Sequence, residues 1–263
     1  MVEPLKIGAI DNDRFDRSRR IPWLDLNAIS HARILMVGAG ALGNEAGKDL
    51  ALSGFRRITV VDMDHVVGSN LNRCLFFSRE DVSKKRSKAD AVAEGIKGLF
   101  EEAEPTALVS RIEDLPDTIY EEHDLVIGCL DNIQARIHLN SHAYASGKIY
   151  IDGGMDGFLG KVMIARPPDG ACVQCGMNRS HAKIANLRFS CTGMDVVFHE
   201  PRVAAEVTTT SVVSAVMVRE ALKAVSGRTD MMLSNTFYYD GQRNVFEELE
   251  VPIDPRCPVH IRK

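Results

Sequence analysis

No stretch of this 263-residue chain is both long and uncharged enough to span a bilayer; the most apolar helical run, Val203 to Val218, contains Glu206 and ends at Arg219. The N-terminus, MVEPLKIGAIDNDRFDRSRR, alternates acid and base and lacks a signal-peptide core. A cytoplasmic protein without a membrane partner is therefore the expectation. Positive charge is not in excess. With 32 Lys and Arg against 36 Asp and Glu, the net charge is −4, which gives no bulk electrostatic grip on nucleic acid. Six cysteines in a chain of this length do not make a secreted disulfide scaffold. Internal repeats, low-complexity segments and domain-splitting linkers are missing too. The 45% hydrophobic fraction excludes a disordered chain and suffices for one large α/β domain.

Residues 1–30 read as a charged arm with one apolar patch, Ile21, Pro22, Trp23 and Leu24. From residue 31 to 263 the chain reads as one domain. RILMV is an apolar run of strand length, GAGALG follows at once, and Leu42, Ala46 and Leu50 then recur at helical spacing. RITVVD is a second buried strand. Strand, glycine turn, helix and strand make a βαβ unit with a parallel pair. The alternation goes on: KADAVAEGIKGLF helical, ALVSRI and DLVIGC strands, NIQARIHLNSHAYAS helical, IYID a strand. KVMIARP adds a strand, PRVAAEVTTTSVVSAVMVREALKAV a long buried helix, and TFYYD and NVFEELEV a hairpin about GQR. The expected fold is a doubly wound, mostly parallel Rossmann-like sheet with an antiparallel C-terminal extension.

Gly38, Gly40 and Gly43 form a G-x-G-x-x-G turn. Such a turn brings backbone close to a phosphate and aims free N–H groups of the following helix at it. Asp62 ends the second strand, where a carboxylate hydrogen-bonds a ribose. The turn alone does not separate NAD from ATP.

The next segment, VDMDHVVGSNLNRCLFFSREDVSKKRSKADA, carries more polar groups than a dinucleotide needs. Asp64, Asn70, Asn72, Arg73, Lys84, Lys85 and Lys88 suit a triphosphate, which cations neutralise and amides orient. Asn72, Lys84 and Lys85 fit a solvated surface equally well and are left there. Asp131 and Asn132 follow the strand DLVIGC, at the carboxyl end where this architecture binds ligands. A carboxylate there can hold Mg²⁺ on phosphates.

Taken in order, GAGALG, VDMDxxxxSNLNR, Lys88, LDNxxAR and IDGGMDGFLGKV resemble the adenylation domain of ubiquitin-activating enzymes and their ThiF and MoeB relatives, from about Arg14 to His260. That family binds ATP without a P-loop lysine motif, and none is present here. The resemblance implies that Asp62 holds the ribose, that Asn70, Arg73 and Lys88 hold phosphates, and that Asp131 ligates Mg²⁺ with Asn132 beside the nucleotide. RFDRS resembles the family's N-terminal arm, which implies a homodimer in which Arg17 reaches the partner's ATP. Cys74 stands where the family usually has Gln, as a reactive thiol or as one packed beside Phe76.

Cys172 and Cys175 form a C-x-x-C, and Cys257 and His260 repeat the spacing at the C-terminus. Three thiolates and an imidazole are a structural zinc set; a redox pair is the other reading of the first two. Relatives generally carry C-x-x-C twice, so His260 replaces a cysteine.

Cys191, followed by Thr192, lies in the segment 176–200 where thioester-forming activating enzymes carry their catalytic cysteine. Arg179, His181, Lys183 and Arg188 precede it and would favour a thiolate if near. The other reading is a small buried thiol, which is also the reading for Cys129.

The resemblance thus implies an enzyme that adenylates the C-terminal carboxylate of a ubiquitin-like protein ending in glycine. It then captures the acyl group on Cys191 for a conjugating enzyme or target. Activation of a sulfur-carrier protein, as in ThiF and MoeB, is the alternative. A scaffold that binds without chemistry stands third, and an NAD oxidoreductase fourth.

Overall fold

The computed structural model describes residues 13–176 and 204–261. In chain order the elements are α1 (Leu26–His31), β1 (Arg33–Val37), α2 (Ala41–Ser53), β2 (Arg57–Val61), α3 (Arg79–Ser83), α4 (Lys88–Leu99), β3 (Thr106–Leu108) and α5 (Thr118–Glu121). They continue with β4 (Leu125–Gly128), α6 (Ile133–Ala145), β5 (Ile149–Asp156), β6 (Leu159–Ala165), α7 (Val207–Val225), β7 (Thr236–Asp240), β8 (Val245–Leu249) and α8 (Pro258–Ile261).

One eight-stranded sheet runs in the order β3-β2-β1-β4-β5-β6-β7-β8. Its first five strands are parallel, and β6, β7 and β8 are antiparallel to their neighbours. The continuous apolar runs follow from this. Helices cover both faces, so Ile34, Met36, Val60 and Ile127 pack under α2, α4 and α7. Leu35, Val37, Val126 and Tyr150 face α5 and α6 on the other side.

Three elements differ from the sequence reading. The strand expected over ALVSRI begins one residue earlier and covers only Thr106–Leu108, because its sole neighbour β2 ends at Val61, opposite Leu108. The helix expected from Pro201 begins at Val207, since the Glu206 carboxylate accepts hydrogen bonds from the Thr208 and Thr209 amides as its N-cap. IYID extends through Gly153 to Asp156, where β5 turns back into β6.

The N-terminal segment docks on the body. Phe15 packs edge-on against Phe100, with ring centroids 5.8 Å apart. Arg14 donates to the Leu99 carbonyl at 3.0 Å. No helix among the described residues is long and apolar enough to cross a membrane.

Candidate functional site

The carboxyl ends of β1, β2 and β4 gather the N-termini of α2, α4 and α6 at one edge of the sheet. Gly38 makes the first turn at φ +97°, and any Cβ there would lie 2.4 Å from the Cys129 carbonyl oxygen. A Cβ on Gly43 would lie 2.0 Å from the Gly38 oxygen, so this glycine lets α2 seat against the loop. Gly40 differs, for a Cβ there meets nothing within 4 Å. Its backbone faces open space, as an approaching phosphate requires.

Asn44, which the sequence reading missed, locks this loop. Fully buried, it donates to the Ala39 and Gly40 carbonyls at 3.0 and 2.9 Å and accepts from the Phe76 amide at 2.9 Å. The glycine turn is thereby tied to the segment holding Asn70 and Arg73. Its place directly after the turn motif was the available signal.

Asp62 accepts from the Ala39 amide at 2.7 Å and from the Asp64 amide at 2.8 Å. Burial raises its carboxyl above the usual range, opposed by those two amides and by the Lys88 ammonium. Lys88 is the first residue of α4, behind the Ser87 N-cap, and its Nζ lies 2.7 Å from Asp64 Oδ2. Burial pulls the Lys88 ammonium down, but the Asp64 hydrogen bond and the charges of Asp62, Asp64 and Asp131 hold it above its ordinary value. Asp62, Asp64, Lys88 and Asp131 therefore share one electrostatic neighbourhood. Asp131 is exposed, and Asn132 caps α6 by accepting from the Gln134 and Ala135 amides.

Asn70 is buried and accepts from the Val67 amide at 3.1 Å, which shapes the short helical turn before Arg73. Arg73 is half-buried and donates to the Ser69 carbonyl and to Asn72. Exposed Lys84 pairs with Glu80, and exposed Lys85 occupies a left-handed turn at φ +49°, as the surface reading has them. Cys74 is buried, and burial pushes its thiol up to about 11. A reactive role at neutral pH is thus disfavoured. Cys129 is buried at the end of β4, with its thiol also raised by burial.

The motifs LDNxxAR and IDGG supply a network with no role assigned from sequence. Arg136 donates from Nη1 to Asp152 Oδ2 at 3.0 Å, from Nη2 to the Gly153 carbonyl at 2.7 Å, and from Nε to the Leu130 carbonyl at 2.7 Å. Tyr150 donates to the other Asp152 oxygen at 2.7 Å. The two glycines that follow serve opposite faces of β5. A Cβ on Gly153 would meet Met217 Sδ at 2.2 Å, and one on Gly154 would meet Arg136 Nη1 at 2.8 Å. Arg136 thus holds Leu130, the residue before Asp131, to the middle of the sheet.

Arg17 lies elsewhere. Phe15 packs against Gly54 and Phe100, which cap the C-termini of α2 and α4. The glycine loop and Lys88 lie at the N-termini of the same helices. The 13 residues of α2 span about 20 Å, beyond the reach of an arginine side chain.

Cys172, Cys175, Cys257 and His260 come together, with one ligand atom from each and all within 4.8 Å of one another. Cys172 Sγ lies 3.6 Å from Cys257 Sγ and 3.8 Å from Cys175 Sγ. Two sulfurs at the corners of a tetrahedral zinc site, each about 2.3 Å from the ion, stand about 3.8 Å apart. The donor set and spacing fit such an ion. Cys191 and the cations before it, Arg179, His181, Lys183 and Arg188, lie outside the described residues.

Comparison with known proteins agrees with this architecture. A family model described as "ThiF family" matches residues 15–259. The NEDD8-activating enzyme E1 catalytic subunit of Caenorhabditis elegans is 36% identical over 181 residues, covering 62% of this chain and 42% of that protein. Its Dictyostelium discoideum counterpart is 38% identical over 159 residues, covering 56% and 36%. The chain thus spans about two fifths of the length of these relatives. Among solved structures, E. coli MccB with ATP superposes with a TM-score of 0.76 at 18% identity, covering 97% of this chain and 76% of that one. MccB with AMPCPP and MccA gives the same score and identity, covering 95% and 74%. At that identity the likeness speaks for the fold. With the family model spanning nearly the whole sequence, this chain belongs to the ThiF family.

Proposed function

We propose that the protein activates the C-terminal carboxylate of a ubiquitin-like protein at the expense of ATP. The observation that carries this reading is the gathering of an open glycine turn, Asp62, Lys88 and Asp131 at one sheet edge of a ThiF-family chain. Identity of 36–38% to NEDD8-activating E1 catalytic subunits favours a ubiquitin-like partner.

The chain's own residues divide the work. Backbone amides at Gly40 and the start of α2 receive phosphate, and Asp62, fixed by two amides, accepts from ribose hydroxyls. Lys88 and Arg73 neutralise phosphate oxygens, Lys88 exchanging its bond to Asp64 for one to the nucleotide. Asn70 and Asn132 border the nucleotide. Asp131 would hold Mg²⁺, which supplies charge neutralisation on the phosphates. A carboxylate oxygen of the partner attacks the α-phosphorus, the bond to the bridging oxygen of the β-phosphate breaks, and pyrophosphate leaves. Catalysis is then mainly positioning and charge stabilisation.

Cys191 in its thiolate form next attacks the acyl carbonyl, and AMP departs with the electron pair of the broken acyl–oxygen bond. The thiol's proton goes to solvent, and the thioester passes to a conjugating enzyme or target. Arg17 completes the neighbouring subunit's site in a homodimer, a role supported by its separation from this chain's own glycine turn. Cys172, Cys175, Cys257 and His260 hold a structural zinc that ties the C-terminus to the domain.

The test is a non-reducing gel of the protein with Mg-ATP and a candidate ubiquitin-like protein ending in glycine, wild type next to Cys191→Ala. A thiol-sensitive band in wild type alone supports the reading. No band with intact pyrophosphate exchange assigns a sulfur-carrier substrate. Absence of both overturns the proposal for that partner.

A further inference from the structure

Lys161 on β6 takes no part in the site described above, yet its surroundings set a charge problem. It stands directly opposite Gly154 of β5 and Tyr238 of β7. Directly opposed residues of an antiparallel ladder project to the same face. On that face the Arg136 guanidinium lies against Gly154, and Asp152 projects to the same side two residues earlier. Gly154 contributes no side chain between Lys161 and Arg136.

The carboxylate in this group is already engaged. Asp152 receives Arg136 on one oxygen and Tyr150 on the other. Lys161 is half-buried and makes no hydrogen bond or ion pair among the described residues. Asp156 and Glu247 lie on the same face but are exposed, and neither pairs with Lys161, so among the described residues the Lys161 ammonium has no carboxylate partner of its own. Burial lowers the Lys161 ammonium, with Asp152 opposing and Arg136 adding to the effect. An anion from outside would supply that partner.

The position on the sheet says which anion. The glycine turn, Asp62 and Lys88 belong to β1, β2 and the helices after them, while β6 lies two strands beyond β4 on the opposite side. At about 4.8 Å per strand, Lys161 stands roughly 10 Å from the β4 tip, away from the phosphate cations. An acyl substrate that meets the α-phosphate must enter from this side, since the other side holds the nucleotide. We infer that Lys161 receives the C-terminal carboxylate of the acyl substrate and positions it for attack. This rests on the adenylation reading and adds a substrate-binding residue to it.

The full chain can be titrated, without ATP, with a short peptide ending in a glycine carboxylate and with the same peptide as its C-terminal amide. ATP affinity is measured separately. Wild type should prefer the carboxylate roughly ten- to a hundredfold, the range of one charge-assisted hydrogen bond. Lys161→Met should abolish that preference and leave ATP affinity and thermal stability close to wild type, and Lys161→Arg should restore most of it. In pyrophosphate exchange, KM for the acyl substrate should rise while kcat holds.

Equal binding of the two peptides by wild type would overturn the inference, as would a Lys161→Met variant that keeps the preference. Loss of ATP affinity in that variant would instead make Lys161 a nucleotide cation, which also overturns it. If wild type binds no ATP, the adenylation reading fails on its own, and the peptide comparison still reports on Lys161.

Discussion

Replacing Arg136 by Met should be among the most damaging single changes in this protein, and its damage should depend on pH. The guanidinium is only 16% exposed and Asp152 only 5% at its side chain, so neither charge is well hydrated. The change removes the ion pair with Asp152 and the bonds to the Leu130 and Gly153 carbonyls. Breaking a buried pair from one side costs about 3–5 kcal/mol, because the remaining charge loses its hydrogen-bonded partner, and Lys161 on the same face sets the loss toward the lower end. Asp152→Asn keeps the shape and an acceptor for Tyr150, and should cost about 1–3 kcal/mol. The double variant should recover about 1–2 kcal/mol of the summed losses, since the pair is then removed from both sides and no half of it is left unmatched.

Protonation offers Arg136→Met a second escape. Burial already raises the Asp152 carboxyl, and loss of Arg136 raises it further. A carboxyl raised in the folded state favours folding at low pH and loses that contribution as pH rises through the folded value. The gap between wild type and Arg136→Met should therefore be wider at pH 8 than at pH 5.5. Urea unfolding of the four proteins at both pH values is the assay. Additive single losses, or a gap that narrows as pH rises, would refute this account of the network.

Gly43→Ala should lose about 2 kcal/mol or more and also nucleotide binding, because its Cβ meets backbone at 2.0 Å. Gly40→Ala, with open space at its Cβ, should melt near wild type and lose nucleotide affinity alone; calorimetry separates the two. His123 bridges the Ile119 carbonyl and the Thr59 hydroxyl, and burial lowers its pKa below the ordinary value. The unfolded chain protonates it first, so stability should fall as pH drops below about 6.5, by at most about 1.4 kcal/mol per unit. His123→Gln should flatten that slope in denaturant melts. Chelation, or Cys257→Ser, should lower the melting temperature and release about one zinc per chain, read by a colorimetric dye.

Much of this was local and hence legible. Continuous apolar runs ending in a glycine turn state a buried parallel strand and its ligand edge, because a strand covered on both faces has no polar side to show. The sequence places Asp62 and Asp131 just past strand ends, while Lys88, at the start of α4, is singled out only through the family resemblance. Boundaries were less so. Glu206 reads as a helix interior residue until its carboxylate is seen capping α7, and ALVSRI reads as a full strand until β2 ends beside it. Asn44 and the Arg136–Asp152–Tyr150 network escaped assignment because each depends on one contact between separate elements, Asn44 with Phe76 and Arg136 with Asp152, that no spacing rule links.

The sequence by itself determined the doubly wound alternation and the glycine turn between the first strand and its helix, since these depend on neighbours a few positions apart. Only the tertiary structure decided which residues share a charge. It brought Cys172 to Cys257 across 85 positions, buried Cys74, and set Arg17 a helix length from its own glycine turn. It also left Lys161 beside a carboxylate already taken. Electrostatic balance and metal geometry are properties of distance in space, and the order of residues along a chain does not fix that distance until the sheet has formed.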